Sequence, residues 1–488
     1  MGGIFGIIGT HENKISRTDV VNIEKSIKLI KHRGTFIYRV FTDRLVWDTK
    51  SFDLITEQLV EVENTSFTIF NSLSQEEFDY VKAISYPIAF DGEIYRHGEK
   101  DLSVIAEEVN IKGEEDGIFL IKEFIQKTDG VWSAAIYGQE SIYLFRDLLG
   151  VKPLWYGISD RFFVFSSERK AIWGLGLKAY PVIPRDVISY NLKKNKFYNY
   201  RGLVQLPHPR TFETDKNKIK ETILQLMENA IKKRFRDKHI AVLFSGGVDS
   251  TFLSQLAKRL GYTVYGYCLK IGDSKDYRIS RETASQIDIE LRVVDLNEIA
   301  IKKNIENIIK IIEDYNPIRV TVASALYPVM KRIRDEAYST AISGNGAEEI
   351  FIGYRKYQDL LSYGETAVTE ATIKGIENIW MRDIYRDDLL SAHLSLNTKL
   401  PFLDIDVVKY SLKIKPTLKV NQKWKKLILR ELAEEIGVPK DIAWRKKLAA
   451  QYGTGVMKTI TKISKSMGYK YLVDYFYDIF RNIYQSKL

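Results

Sequence analysis

Phe244-Ser245-Gly246-Gly247-Val248-Asp249-Ser250 brings two adjacent glycines, two serine hydroxyls and a carboxylate into one short stretch. Adjacent glycines let a backbone approach an anion closely, and hydroxyls and helix-start amides donate to it. A glycine-rich turn closed by a serine cap is the plain structural reading of the same string. The spacing is not GxxxxGK[ST], so this is not a kinase-type phosphate loop. Two other groups carry chemistry-capable residues: the acidic pair Glu348 and Glu349, and the basic triplet Arg445-Lys446-Lys447. Taken alone, the first is an ordinary helix-start pair and the second a solvated surface run.

A loop of this kind needs a strand to deliver it and a helix to receive it. The apolar run His239–Phe244 precedes it, and TFLSQLAKRL with helical spacing follows. YTVYGYCL, LRVVDL and STAISG read as further strands separated by helical stretches, the order of a doubly wound parallel α/β sheet. From about Gly364 the chain reads as mainly helical, with Gly437-Val438-Pro439 as a stop signal. The first 200 residues differ. Short apolar or alternating runs such as IFGII, SIYLF and RFFVFSS predict a largely β layer structure with a few helices. Arg201–Asn217 carries Pro207 and Pro209 and lacks helical periodicity, which marks a linker. The expected organisation is a domain over 1–200, a linker over 201–217 and a second domain over 218–488.

Of the 488 residues, 45% are apolar and 28% charged, a soluble composition. No apolar run approaches the roughly 18 residues of a membrane span, and MGGIFGIIG lacks a basic n-region. Cys268 is the single cysteine, which excludes an internal disulfide framework and a cysteine-cluster metal site. A cytoplasmic location without membrane contact is expected. The net charge of +10 is compatible with an RNA partner such as tRNA or with steering of a nucleotide, and the basic residues are dispersed.

The string SGGVDS resembles the pyrophosphate-binding loop of ATP pyrophosphatases. Further segments narrow the likeness to asparagine synthetases: Ser343-Gly344-Asn345-Gly346-Ala347-Glu348-Glu349 followed by IFIGY, Lys399-Leu400-Pro401-Phe402-Leu403-Asp404, Lys426-Leu427-Ile428-Leu429-Arg430, and Arg445-Lys446-Lys447 before Gln451-Tyr452-Gly453. Their order is the family's, and the resemblance spans nearly the whole chain. It implies that Leu243, Phe244, Ser245, Gly246, Gly247, Asp249, Ser250 and Gly344 bind ATP and its pyrophosphate. Asp249 and Glu348 would hold magnesium, and Lys447 would be the catalytic lysine, with Lys446 the fallback because the loop spacing departs by about two residues, and with Glu348 and Glu349 as the acidic pair. Lysine suits that role because pyrophosphate departure and amine attack both build negative charge on oxygens. Asn345 and Lys399 would face the substrate, and here the chain departs from the family pattern. Asn345 replaces a glutamate, Lys399 an arginine, and Asn397 another glutamate. A lysine offers a point charge where arginine offers a two-pronged fork. The pattern RDDLLSAH, PFLD and KKLAAQYG looks closer to asparagine synthetase domain-containing and archaeal-type relatives.

MGGIFGIIG resembles MCGIFG, the start of class II glutamine amidotransferases, whose αββα domain cleaves glutamine with an N-terminal cysteine. Gly2 stands where that cysteine would be, so no thioester can form. The resemblance places Arg44, Gly92, Glu93 and Asp116 in a vestigial glutamine site. Asp91 stands where the family's asparagine supplies an oxyanion donor. The implied activity is AMP-forming amidation of a carboxylate, aspartate by default, with ATP and magnesium and with ammonia or an amine as nitrogen source. A homodimer is expected. Three alternatives are β-lactam-synthetase-like intramolecular amide formation, modification of an RNA-borne substrate, and a non-catalytic scaffold.

Overall fold

Aromatic and β-branched residues recur in short runs through the first part of the chain, and those runs become strands. The computed structural model describes residues 2–11, 13–34, 36–98, 100–446 and 453–484. The chain divides into two units, Met1–Gln205 with Tyr484–Leu488, and Leu206–Ile483. The stretch between Tyr200 and Lys216, without helix or strand, spans that division.

In the first unit the strands are β1 (Gly3–Gly9), β2 (Ile37–Thr42), β3 (Val46–Thr49), β4 (Phe67–Leu73), β5 (Ile88–Arg96) and β6 (Asp129–Tyr137). They continue as β7 (Ser141–Arg146), β8 (Trp155–Ile158), β9 (Phe162–Ser166), β10 (Tyr180–Pro181), β11 (Val187–Asn191) and β12 (Lys196–Tyr200). They form two antiparallel sheets, ordered β10-β8-β9-β1-β4-β2-β3 and β12-β11-β7-β6-β5. The sheets face each other through aromatic pairs. Phe163 stacks on Tyr190 at 5.1 Å between ring centres, and Phe67 on Tyr137 at 4.2 Å. Helices Arg17–Ile30 and Glu114–Lys127 lie outside the pair, the latter resting Phe124 on Trp132. This is the expected αββα arrangement.

The second unit holds β13 (His239–Leu243), β14 (Thr263–Lys270), β15 (Glu290–Asp295), β16 (Thr340–Ile342) and β17 (Asn397–Lys399). All are parallel, in the order β15-β14-β13-β16-β17. The chain winds outward from β13 in one direction and then returns to its other side at β16. That reversal opens a crevice at the carboxyl ends of β13 and β16, where ligands bind in sheets of this kind. Burial of Ile240, Ala241 and Val242, all at 0% exposure, fixes β13 as the centre of the unit. The connecting helices follow from isoleucine spacing. In Glu298–Ile312, Ile301, Ile305, Ile308, Ile309 and Ile312 are buried, Asn297 caps the start, and Glu313 ends it with φ +55°. Farther on, helix Glu365–Ile379 runs through a π-turn, Trp380–Ile384, into Tyr385–His393.

Candidate functional site

The loop at the carboxyl end of β13 folds as its composition dictates. Gly246 adopts φ +63°, and a Cβ there would stand 2.9 Å from Ile279, so only glycine fits. Gly247 caps helix Val248–Arg259, leaving its first-turn amides pointed into the loop. Ser250 closes the turn: its Oγ donates to the Gly247 carbonyl at 3.2 Å and accepts from the Ser245 N–H at 3.3 Å. Phe244 is buried, with its N–H bonded to the Tyr267 carbonyl, and packs where Gly266 leaves room. Leu243 ends the strand beside it.

β16 delivers the 343–349 segment to the same crevice. Gly344 lies against Asp249, with room for no more than a glycine-sized contact at 3.2 Å. Glu348 and Glu349 then diverge. Glu348 faces the loop, whereas Glu349 is 1% exposed and accepts from the Tyr354 hydroxyl at 2.6 Å and from Arg382. Burial raises the Glu349 carboxyl above its usual range, and Tyr354 and Arg382 only partly counter that. Asn345 donates from Nδ2 to Asp387 at 2.5 Å. Asp387 is itself paired with Arg386, which also bridges to Asp383 on the π-turn. Lys399 is buried in β17, and its carbonyl accepts from the Ser343 N–H at 3.0 Å.

The sequence marks the residue that joins these parts only as the first of the Lys426–Arg430 segment and assigns it no role. Lys426 sits in the left-handed region at φ +57°, as the N-cap of helix Leu427–Glu435, and is 4% exposed. Its Nζ donates to both Asp249 oxygens at 2.8 Å and to Glu348 Oε1 at 2.7 Å. Burial alone would lower this ammonium, but the two carboxylates more than offset it and raise it. One turn on, Arg430 donates to the carbonyls of Lys425, Ala443 and Arg445, and so ties the stem of the basic triplet to the same helix. Lys446 lies over the Trp424 ring at 5.9 Å. Lys447, Gln451 and Tyr452 lie outside the described residues.

In the first unit, Gly2, Asp91 and Gly92 come together and Arg44 and Asp116 do not join them. The Gly2 N–H donates to Glu77 Oε1 at 2.8 Å and to Asp91 Oδ1 at 3.0 Å. Asp91 is fully buried and pairs with Arg33 at 3.2 Å and Lys152 at 3.6 Å. Arg33 in turn reaches Glu168, whose carboxyl is buried yet held well below its usual range by His32, Lys170 and Arg33. Asp91 is therefore an ion-paired member of a buried network. Glu93, two residues along β5, lies on the same face as Asp91. Arg44 follows the end of β2, where it donates to the Asn64 carbonyl; Asn64 bonds to Ile15, beyond the Gly9 end of β1. That is the opposite end of β1 from Gly2, about 20 Å away by strand rise. Asp116 is exposed on the first turn of helix Glu114–Lys127, whose next residue, Gly117, lies beside Tyr143.

A family model described as asparagine synthase matches residues 222–367 and 361–466, and one described as a glutamine amidotransferase domain matches residues 1–224. A putative glutamine-hydrolysing asparagine synthetase of Methanocaldococcus jannaschii is 26% identical over 96% of this chain and 96% of its own length. The Mus musculus glutamine-hydrolysing asparagine synthetase is 28% identical over 81% of this chain and 76% of its own. Among solved structures, a glutamine phosphoribosylpyrophosphate amidotransferase from B. subtilis aligns at TM-score 0.34 and 13% identity, over 60% of this chain and 65% of that one. No described helix is long and apolar enough to cross a membrane. With both its parts matched in order, the chain belongs to the asparagine synthetase family of ATP-dependent carbon–nitrogen ligases.

Proposed function

We propose that residues 218–488 adenylate a carboxylate with ATP as substrate, release pyrophosphate and let ammonia or an amine displace AMP to form an amide. The observation that carries this is Lys426 bridging Asp249 and Glu348 at the lip of the 245–250 loop. In the first step the carboxylate oxygen attacks the α-phosphorus and the bond to the β-phosphate oxygen breaks. The loop amides and Ser245 would hold the departing phosphates, and Lys426 and Lys447 would balance their charge. In the second step the amine nitrogen attacks the acyl carbon, the bond to AMP breaks and a proton leaves the nitrogen.

Asp249 and Glu348 suit magnesium in their chemistry, since both are hard oxygen donors that converge on one cation, the Lys426 ammonium, beside the 245–250 loop. Bound there, the ion would neutralise phosphate charge. Aspartate is the default acceptor. Asn345 and Lys399 would line its pocket, and neither reproduces the family's carboxylate or guanidinium at those positions. The 1–200 domain would have lost glutamine hydrolysis, because Gly2 offers no nucleophile.

Product analysis tests the reading. Incubation with ATP, magnesium, ammonia and a panel of amino acids should give AMP and pyrophosphate in equal amounts. ADP and phosphate as the only nucleotide products would eliminate it.

A further inference from the structure

We infer that Glu77 is a built-in ligand of the donor cradle in the first unit, holding its carboxylate oxygen where a substrate oxyanion would otherwise be bound. The geometry stands on its own, and only the word substrate rests on the amidotransferase-like reading of this unit. Two backbone N–H groups, one just ahead of β1 and one within β5, converge on one atom, the Gly2 N–H being shared with Asp91 Oδ1 at 3.0 Å. Gly2 and Gly92 each donate to Glu77 Oε1 at 2.8 Å. Two convergent amides at about 2.7–3.1 Å are the arrangement that stabilises an oxyanion.

The cradle is specifically built. Gly92 is held at φ +137°, and a Cβ there would stand 2.0 Å from the Val131 carbonyl oxygen, so its N–H is aimed by a backbone that only glycine adopts. Glu77 is 3% exposed and the positions around it carry Arg33, Lys152 and Asp91, all buried. Its second oxygen is also engaged. Oε2 accepts from the Ser74 N–H and Oγ, both at 2.7 Å, closing the capping box of helix Gln75–Val81. One carboxylate thus caps a helix with one oxygen and fills the cradle with the other.

Glu77 also occupies the space of a nucleophile. A Cβ on Gly2 would meet Glu77 Oε1 at 2.9 Å and Oε2 at 3.0 Å, and the Ser72 carbonyl oxygen at 3.0 Å. Loss of a side chain at position 2 and the presence of Glu77 are two sides of one arrangement. The unit is therefore closed by its own carboxylate, and the cradle underneath is a latent site for a small free carboxylate such as formate or acetate.

Glu77→Asp separates the two duties. Aspartate at the same helix position still closes a capping box, as Asp19 does with Ser16 at the start of helix Arg17–Ile30. Being one methylene shorter, it withdraws from Gly2 and Gly92. Thermal unfolding of the full chain is followed in sodium formate against sodium chloride at equal ionic strength. The Glu77→Asp chain should gain several degrees in formate, saturably, while the unsubstituted chain does not move. A Glu77→Asp chain indifferent to formate, or an unsubstituted chain that responds equally, overturns the inference. Should Glu77→Asp unfold at assay temperature, Glu77→Gln keeps the shape and tests the charge, and formate should then have no effect on it. A formate response there also overturns the inference. A formate-responsive Glu77→Asp chain whose Gly2→Cys/Asp91→Asn derivative never releases glutamate from glutamine would leave the cradle standing and overturn only its assignment to a substrate oxyanion.

Discussion

Lys426 has the most at stake of any single described side chain. A buried ammonium between two carboxylates is held by opposite charge, and removing it leaves Asp249 and Glu348 facing each other unscreened. Lys426→Met should lower AMP formation by roughly 10²-fold or more, the scale of losing one preorganised charge-stabilising donor. Lys426→Arg should recover little, since a planar fork does not reproduce a point donor to three oxygens. Turnover of either variant within threefold of the unsubstituted chain, at saturating ATP, would remove Lys426 from the site. The contrast with what the sequence made legible is physical. SGGVDS could be read because a phosphate loop is contiguous and its backbone does the work. The Asp249–Lys426 pair joins positions 177 apart, which no local spacing encodes. Arg44 and Asp116 illustrate the converse, because a short string match carries no register and the strands set both residues away from Gly2.

At the scale of elements, the acidic pair depends on the short helix Ala347–Ile350 staying where β16 delivers it. Lys419 is buried behind that helix and donates to the carbonyls of Ser411 at 2.7 Å and Ile350 at 3.4 Å, at the ends of two helices. Burial pushes its ammonium down from 10.5 to about 7. Below pH 7 the native chain carries the full cost of a buried charge. Between about 7 and 10.5 the unfolded chain binds a proton that the native chain does not, so stability rises with pH across that window. Each unit contributes at most about 1.4 kcal/mol. Replacing Lys419 by Met removes the titration but strands two carbonyls, so its absolute effect is mixed. Its pH dependence is not: the unsubstituted chain should gain stability relative to Lys419→Met between pH 7 and pH 9.5 in urea titrations. A gap that stays constant, or that closes the other way, would show that Lys419 keeps its charge. The parallel order of β13 to β16 was readable from alternating strand and helix patterns, because β13, β14 and β16 are apolar runs bounded by turns and β15 carries the β-branched pair Val293-Val294. β17 was not, since Asn397-Thr398-Lys399 is polar and becomes a strand only by pairing with β16.

For the whole molecule the open matter is where the nitrogen comes from. Relatives named as glutamine-hydrolysing align with 96% and 81% of this chain, so overall likeness alone does not decide it. Local chemistry does favour one side. Position 2 lacks a thiol, Glu77 fills the adjacent cradle, and Asp91 is committed to Gly2, Arg33 and Lys152. Ammonia, or an amine carried by the acceptor, should therefore support amide formation, and glutamine should not. The measurement is glutamate release from glutamine, with and without ATP, alongside amide formation with ammonium chloride. Glutamate release matching amide formation would sink this expectation and demand a nucleophile other than residue 2. The graded variants sharpen it. Gly2→Cys alone should recover little, because its Cβ would meet both Glu77 oxygens at 2.9–3.0 Å. Adding Asp91→Asn supplies an amide donor but leaves the space filled. Only with Glu77→Asp as well are thiol and donor present with the Glu77 contact relieved, the Ser72 carbonyl at 3.0 Å remaining, and that triple variant should release more glutamate than either predecessor. If all three stay silent while each folds, the strands of this unit have kept the shape of a glutaminase without its ability to bind glutamine, which isothermal titration of glutamine would register as no heat.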